Sequence, residues 1–123
     1  MIMKSKKTLV LGASENPSRY SNLAVKKLTA HGQPVIALGK RKGSINDIEI
    51  TTEQLPYNDI DTITMYMNAA NQKQYYDYIL SLHPKRIIFN PGAENDELAT
   101  LARQKGIATQ EACTLVLLST NQY

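Results

Sequence analysis

The segment Thr8-Leu9-Val10-Leu11-Gly12 constrains this chain more than any other. A short apolar run closed by glycine is how a strand buried on both faces of a parallel sheet reads. Turn-forming residues follow from Ser14 to Ser18. From about Arg19 a helix is expected, with Tyr20, Leu23, Ala24 and Leu28 at helical spacing and Gly32 as its stop. Pro34-Val35-Ile36-Ala37-Leu38, closed by Gly39, is a second strand of the same kind. Strand, helix and strand in that order make a βαβ unit with parallel strands.

The pattern continues. Between Gly43 and Tyr57, Ile45, Ile48 and Ile50 suit a short extended piece, followed by one helical turn near Glu53 to Leu55. Asp61 to Met67 alternates around Ile63, Met65 and Met67 as a third strand, and Gln72 to His83 carries Tyr76, Ile79 and Leu80 on one helical face before Pro84. Arg86 to Phe89 is a fourth strand. Asn95 is placed to cap a helix whose first turn holds Asp96 and Glu97, where the helix dipole favours negative charge. Leu98, Leu101 and Ala102 form its inner face, Gly106 ends it, Ile107 to Thr109 is a fifth strand, and Ala112 to Leu118 a closing helix or 3₁₀ turn. The expected fold is α/β: a three-layer, five-stranded parallel sheet with helices on both faces. At 123 residues the chain is read as one domain, residues 1–123, with no room for a second catalytic one.

Composition excludes several classes. A hydrophobic fraction of 42% and a charged fraction of 20% are those of a folded, soluble protein. The formal charge of +3 is mild and gives no reason to expect nucleic acid; much of the excess lies in Lys4, Lys6 and Lys7 and in Lys40, Arg41 and Lys42. The apolar run Leu9 to Leu11 is too short for a signal peptide or a membrane span. One cysteine, Cys113, excludes an internal disulfide and a cysteine-based metal cage and fits a reducing, cytoplasmic setting. An exposed edge strand or a tyrosine-bearing helix could support a homo-oligomer.

In such a sheet ligands bind beyond the carboxyl ends of the strands, where strand order reverses. The first of these loops, Gly12-Ala13-Ser14-Glu15-Asn16-Pro17-Ser18-Arg19-Tyr20-Ser21, joins a glycine turn, hydroxyls and a cation to a helix start, whose free N–H groups suit a phosphate. Gly12, Ala13, Ser14, Pro17, Arg19 and Ser21 are its candidate ligand contacts. Ser14 and Pro17 stand at the second and third glycine positions of the Gly-x-Gly-x-x-Gly dinucleotide pattern, so the turn alone indicates a nucleotide without saying which. At the end of strand two, where NAD enzymes place an acidic residue for the ribose, stands Gly39-Lys40-Arg41-Lys42. Gly39, Lys40 and Arg41 there argue for a phosphorylated ribose, as in NADP or coenzyme A. Asn68, Pro91 and Gly92 complete the candidates from the third and fourth loops. No catalytic constellation is present. His31 and His83 lie at helix C-termini, Cys113 sits among apolar residues, and the acidic pairs Asp59 with Asp61 and Asp96 with Glu97 have no role in acid–base chemistry or metal binding.

With Leu9-Val10-Leu11-Gly12-Ala13-Ser14-x-x-Pro17-x-Arg19, the basic loop after strand two, and Gly92 with Asn95-Asp96-Glu97, the chain from about Lys7 to Leu118 resembles the small single-domain CoA-binding proteins, which are similar to the CoA-binding domain of the succinyl-CoA synthetase alpha subunit. The resemblance implies a Rossmann-like fold with CoA lying across Gly12 to Pro17, its adenosine phosphates near the strand-two loop, and other contacts from the third and fourth loops. It does not carry over ligase activity, because the synthetase's phosphohistidine belongs to a further domain. Where the family commonly has Asn-Pro-Lys after strand two this chain has Gly39-Lys40-Arg41, and Glu15 puts a carboxylate inside the turn. The expectation is a non-catalytic nucleotide-binding protein holding CoA or an acyl-CoA. An NADP-binding enzyme subunit that takes its substrate domain from a partner stays open, as does a scaffold whose crevice is empty.

Overall fold

The computed structural model describes residues 5–123; Lys4 of the basic start lies outside them. Seven strands form one sheet in the order β3-β4-β2-β1-β5-β6-β7. They are β1 (Thr8–Leu11), β2 (Val35–Leu38), β3 (Gly43–Ile45), β4 (Ile48–Thr51), β5 (Thr62–Met65), β6 (Arg86–Phe89) and β7 (Ala108–Glu111). Every neighbouring pair is parallel except β3 with β4. The expected all-parallel sheet of five strands is therefore corrected to a mixed sheet of seven. The two extra strands come from the segment expected to be one extended piece. Ile45 pairs with Ile48 across a two-residue Asn46-Asp47 loop, and Asn46 takes φ of 53°, the left-handed conformation such hairpin turns require.

Five α-helices cover the sheet: α1 (Tyr20–Ala30), α2 (Ala69–Gln72), α3 (Tyr76–Ser81), α4 (Asp96–Gln104) and α5 (Thr114–Ser119). Alternation along each central strand sends side chains to two cores. Leu9, Leu11, Ile63, Met65, Ile87 and Phe89 pack with Ile79, Leu98 and Ala102 of α3 and α4. Val10, Ala37 and Ile88 pack on the opposite face with Val25 and Leu28 of α1 and Leu117 and Leu118 of α5. This double burial is why β1 reads as an unbroken apolar run: all four of its residues are fully buried.

Three local expectations are revised. The inner face of α1 is Ser21, Asn22, Ala24, Val25 and Leu28, whereas Tyr20 is 70% and Leu23 40% exposed. Glu53 to Leu55 is not helical, since Pro56 disfavours helical backbone at the residue before it. The single helix expected from Gln72 to His83 is instead α2, a 3₁₀ turn at Lys73–Tyr75, and α3. It begins earlier because the Asn68 side chain caps it, accepting from Asn71 N at 2.9 Å. The Asn95 cap forms as expected, its Oδ1 accepting from Leu98 N at 3.1 Å. The closing element is the α-helix α5, and the last strand runs two residues beyond the expected Thr109.

Candidate functional site

From β1 the chain crosses to β2 on one side and later returns to β5 on the other, so strand order reverses between β1 and β5. A cleft of about 950 Å³ opens there, at the carboxyl ends of β2, β1, β5 and β6.

Its floor is the turn after β1. Gly12 has φ of +99°, and a Cβ there would stand 3.0 Å from the Tyr66 backbone, so glycine fits for both reasons. Gly12 N and Ala13 N both donate to Leu38 O, at 2.9 and 3.0 Å, which lays the turn across the end of β2. Gly39 makes that approach possible: a Cβ on it would lie 2.3 Å from Ala13 O. Arg19 N donates to Asn16 O at 3.0 Å, with Pro17 preset at the second position of that turn. The Asn16 side chain accepts from Ser18 N and Ser18 Oγ, and buried Asn22 donates from Nδ2 to Ser14 O at 2.9 Å. The turn then delivers the start of α1, which has no capping side chain and no acidic residue in its first turn. Its free N–H groups and partial positive charge face whatever lies over the turn.

Around that floor stand Arg19 and, from the end of β2, Lys40, Arg41 and Lys42, all exposed. None of the four forms an ion pair with another described residue. The one carboxylate on the same stretch, Glu15, has its Oε2 accepting from Ser44 N at 2.9 Å. The residues lining the far wall are uncharged, and the Glu94 carboxylate beside them accepts from Gly92 N at 2.8 Å. Met67, Asn68 and Asn71 come from β5 and α2, and Pro91, Gly92 and Ala93 from a turn after β6 that closes by Ala93 N donating to Asn90 O at 2.8 Å. Asn90 holds that wall in place: its Nδ2 donates to Thr64 Oγ1 and Met65 O, and its Oδ1 accepts from Thr114 N. Tyr66 also borders the cleft, but its hydroxyl is buried inward. Burial pushes this phenol up to about 12, and the neighbouring Thr64 and Thr114 hydroxyls oppose the shift without either meeting hydrogen-bond geometry.

The structure thus brings together Gly12, Ala13, Ser14, Arg19, Ser21, Lys40, Arg41, Asn68, Pro91 and Gly92 on one cleft. Pro17 and Gly39 do not line it; they shape the turn beneath. Glu15, Asn16, Ser18 and Tyr20 of the same turn, and Lys42, Tyr66, Met67, Asn71 and Ala93, line it and were not among the expected site residues. Lys42 was legible as part of the basic run, and Asn71 follows once Asn68 is seen to start the helix. Asn22, which props the turn from inside α1, carried no local signal. An arrangement of free helix N–H groups, four cations with no ion pair among the described residues, and an amide-bearing wall can hold an anionic, phosphate-bearing molecule with an uncharged extension.

The chain belongs to the CoA-binding domain family, whose model matches residues 6–119. A crystal structure of an uncharacterised protein is similar at 44% identity and a TM-score of 0.95, covering 98% of this chain and 99% of that one. A hypothetical protein from Pyrococcus horikoshii OT3 shares the fold at 20% identity and a TM-score of 0.85, over 95% of this chain and 84% of that one. So does a dinucleotide-forming acetyl-coenzyme A synthetase from Ca. Korarchaeum cryptofilum, solved with phosphate and ADP, at 15% identity and a TM-score of 0.71; the match covers 90% of this chain and 26% of the synthetase. No curated protein matches the sequence. No helix among the described residues is long and apolar enough to cross a membrane.

Proposed function

We propose that the cleft binds coenzyme A or an acyl-CoA and that the chain acts by holding this ligand rather than transforming it. The observation that carries the reading is the meeting of Lys40, Arg41 and Lys42 with the uncapped start of α1 on one cleft, with no ion pair among the described residues to neutralise the cations. The pyrophosphate lies over Gly12 to Ser14 at the helix start, and Lys40 and Arg41 take the ribose phosphate. From β2 to β6 the cleft spans three strand spacings of about 4.8 Å each, which lets the uncharged arm run toward Asn68, Asn71 and Gly92. Family membership favours CoA among phosphorylated nucleotides. Among the described residues the acids at the cleft, Glu15 and Glu94, each accept from a backbone N–H, and His31 and His83 stand at exposed helix ends, which favours holding over catalysis. Its single cysteine, which can form no internal disulfide, supports a cytoplasmic setting.

Titration calorimetry and thermal melts with CoA test this. CoA is expected to raise the melting temperature, and Lys40→Ala with Arg41→Ala to weaken binding at least tenfold and flatten its salt dependence. No shift at millimolar CoA in the unaltered protein would sink the proposal. The same cations fit the 2′-phosphate of NADP, which is the second reading; quenching of NADPH fluorescence on titration, with no response to CoA, would select it.

A further inference from the structure

We infer that Glu15 is a positioning residue: its carboxylate is a strut that holds the cation loop Lys40-Arg41-Lys42 over the phosphate turn. This rests on the reading of the cleft as a CoA site.

A carboxylate beside a phosphate subsite should oppose binding, and from composition alone Glu15 reads as a defect. The geometry gives it a different task. The three cations are held between two attachments to the same turn. On one side Gly39 lies flush against Ala13, with room for no side chain. On the other, Glu15 Oε2 accepts from Ser44 N at 2.9 Å, and the Glu15 side chain lies so close over Gly43 that a Cβ there would stand 2.3 Å from Cδ and 2.4 Å from Cγ. Gly43 and Ser44 belong to β3, the outermost strand, which has only β4 as a neighbour. In the two-residue hairpin register Ile45 with Ile48 is the bonded pair, so Ser44 points its N–H away from β4, toward the open edge. Glu15 supplies the acceptor that the missing strand would have supplied. Without it, the chain between Lys42 and buried Ile45 is bonded to β4 alone among the described strands. The carboxylate is bonded to Ser44 N and forms no ion pair within 4.0 Å with Lys40, Arg41 or Lys42 among the described residues, so the cations stay open to ligand.

Glu15→Ala and Glu15→Gln separate a strut from a repelling charge, because glutamine keeps the acceptor oxygen and the shape while removing the charge. CoA is expected to bind Glu15→Gln as tightly as the unaltered protein or more so, and Glu15→Ala about tenfold more weakly. With dephospho-CoA, which lacks the ribose phosphate, the Ala variant should lose little, since the loop then has no phosphate to grip. If Glu15→Ala binds CoA as tightly as Glu15→Gln, the strut is refuted. Hydrogen exchange of the ligand-free protein gives a readout independent of CoA. Amides of residues 40–45 should exchange faster in Glu15→Ala and stay protected in Glu15→Gln. Gly43→Ala should likewise speed exchange there, but add little in a Glu15→Ala background, where the clashing side chain is gone. Equal exchange in all variants overturns the inference whatever CoA does; faster exchange in Glu15→Ala with no CoA binding by any variant upholds the strut and overturns the ligand instead.

Discussion

Replacing Gly39 by alanine adds one methyl group, yet the structure assigns it a large cost. The methyl carbon would lie 2.3 Å from Ala13 O and 3.1 Å from Ile50 Cγ2. The first distance is inside van der Waals contact by about 1 Å, and the obstacle is backbone, which no rotamer change can clear. Relief means separating the β1 turn from the end of β2, which strains the bonds Ala13 N to Leu38 O and Gly39 N to Thr51 O, both 3.0 Å. Two backbone bonds at about 1 kcal/mol each, with some overpacking of Ile50, give roughly 2–4 kcal/mol. For a domain of this size that lowers the melting temperature by roughly 8–16 °C. The control is Gly32→Ala. Gly32 has φ of +76° but no atom within 4 Å of a Cβ, so only backbone strain of about 1–2 kcal/mol applies. Urea denaturation of both variants decides, with unchanged slopes confirming that native stability is being compared. Gly39→Ala should be the more destabilised and should also lose CoA affinity, because the cation loop starts at the displaced residue. A Gly39→Ala variant as stable as Gly32→Ala would refute the close approach of the two loops.

Two further outcomes follow from buried polar groups. Asn90→Ala removes three hydrogen bonds at a residue only 2% exposed and leaves Thr114 N without its acceptor, so a loss of about 3 kcal/mol is expected in chemical denaturation. The Tyr66 hydroxyl meets no hydrogen-bond partner among the described residues, so Tyr66→Phe should not destabilise the protein at neutral pH. Its folded pKa, raised to about 12, lies above the unfolded value near 10. Because the unfolded phenol ionises first, the folded state loses on the order of 2–3 kcal/mol as the pH rises from about 10 to about 12, and below pH 10 the shift has no effect. Absorbance titration at alkaline pH should show one late-ionising phenol fewer in Tyr66→Phe, and a stability profile as steep as before would contradict the assignment.

The central strands and their glycine turns were legible because doubly buried strands leave little choice of residue: Leu9 to Leu11 and Ile87 to Phe89 must be apolar, and Gly12 must tolerate a positive φ. The hairpin was less legible. Its three isoleucines are split by Asn46-Asp47, a weaker turn signal than Asn-Gly, and the strands are only three and four residues long. The α2 and α3 segment misled because helical periodicity ignores where side chains are tethered. Gln72 is fully buried with Nε2 donating to Met67 O and Ala93 O, a tertiary demand that periodicity cannot register. At the site, residue types at strand ends pointed to Gly12, Lys40 and Gly92. The buried roles of Gly39 and Asn22, the part of Pro17 in shaping the turn, and the outward reach of Lys42 and Asn71 depend on backbone direction, which appears only once the loops are closed.

The two sides of the cleft are held with unequal firmness. Asn90 joins β5, β6 and the first residue of α5, so the side at Pro91 and Gly92 is braced by three elements at once. The basic side continues directly into a three-residue strand at the sheet margin, held by the Glu15 carboxylate on Ser44 N and by buried Ile45. A molecule seated between them meets two jaws fastened differently, one from within the sheet and the other in part through a single exposed side chain of the turn it covers. Whatever loosens that side chain therefore loosens the charged end of the cleft and leaves the other end as it stands.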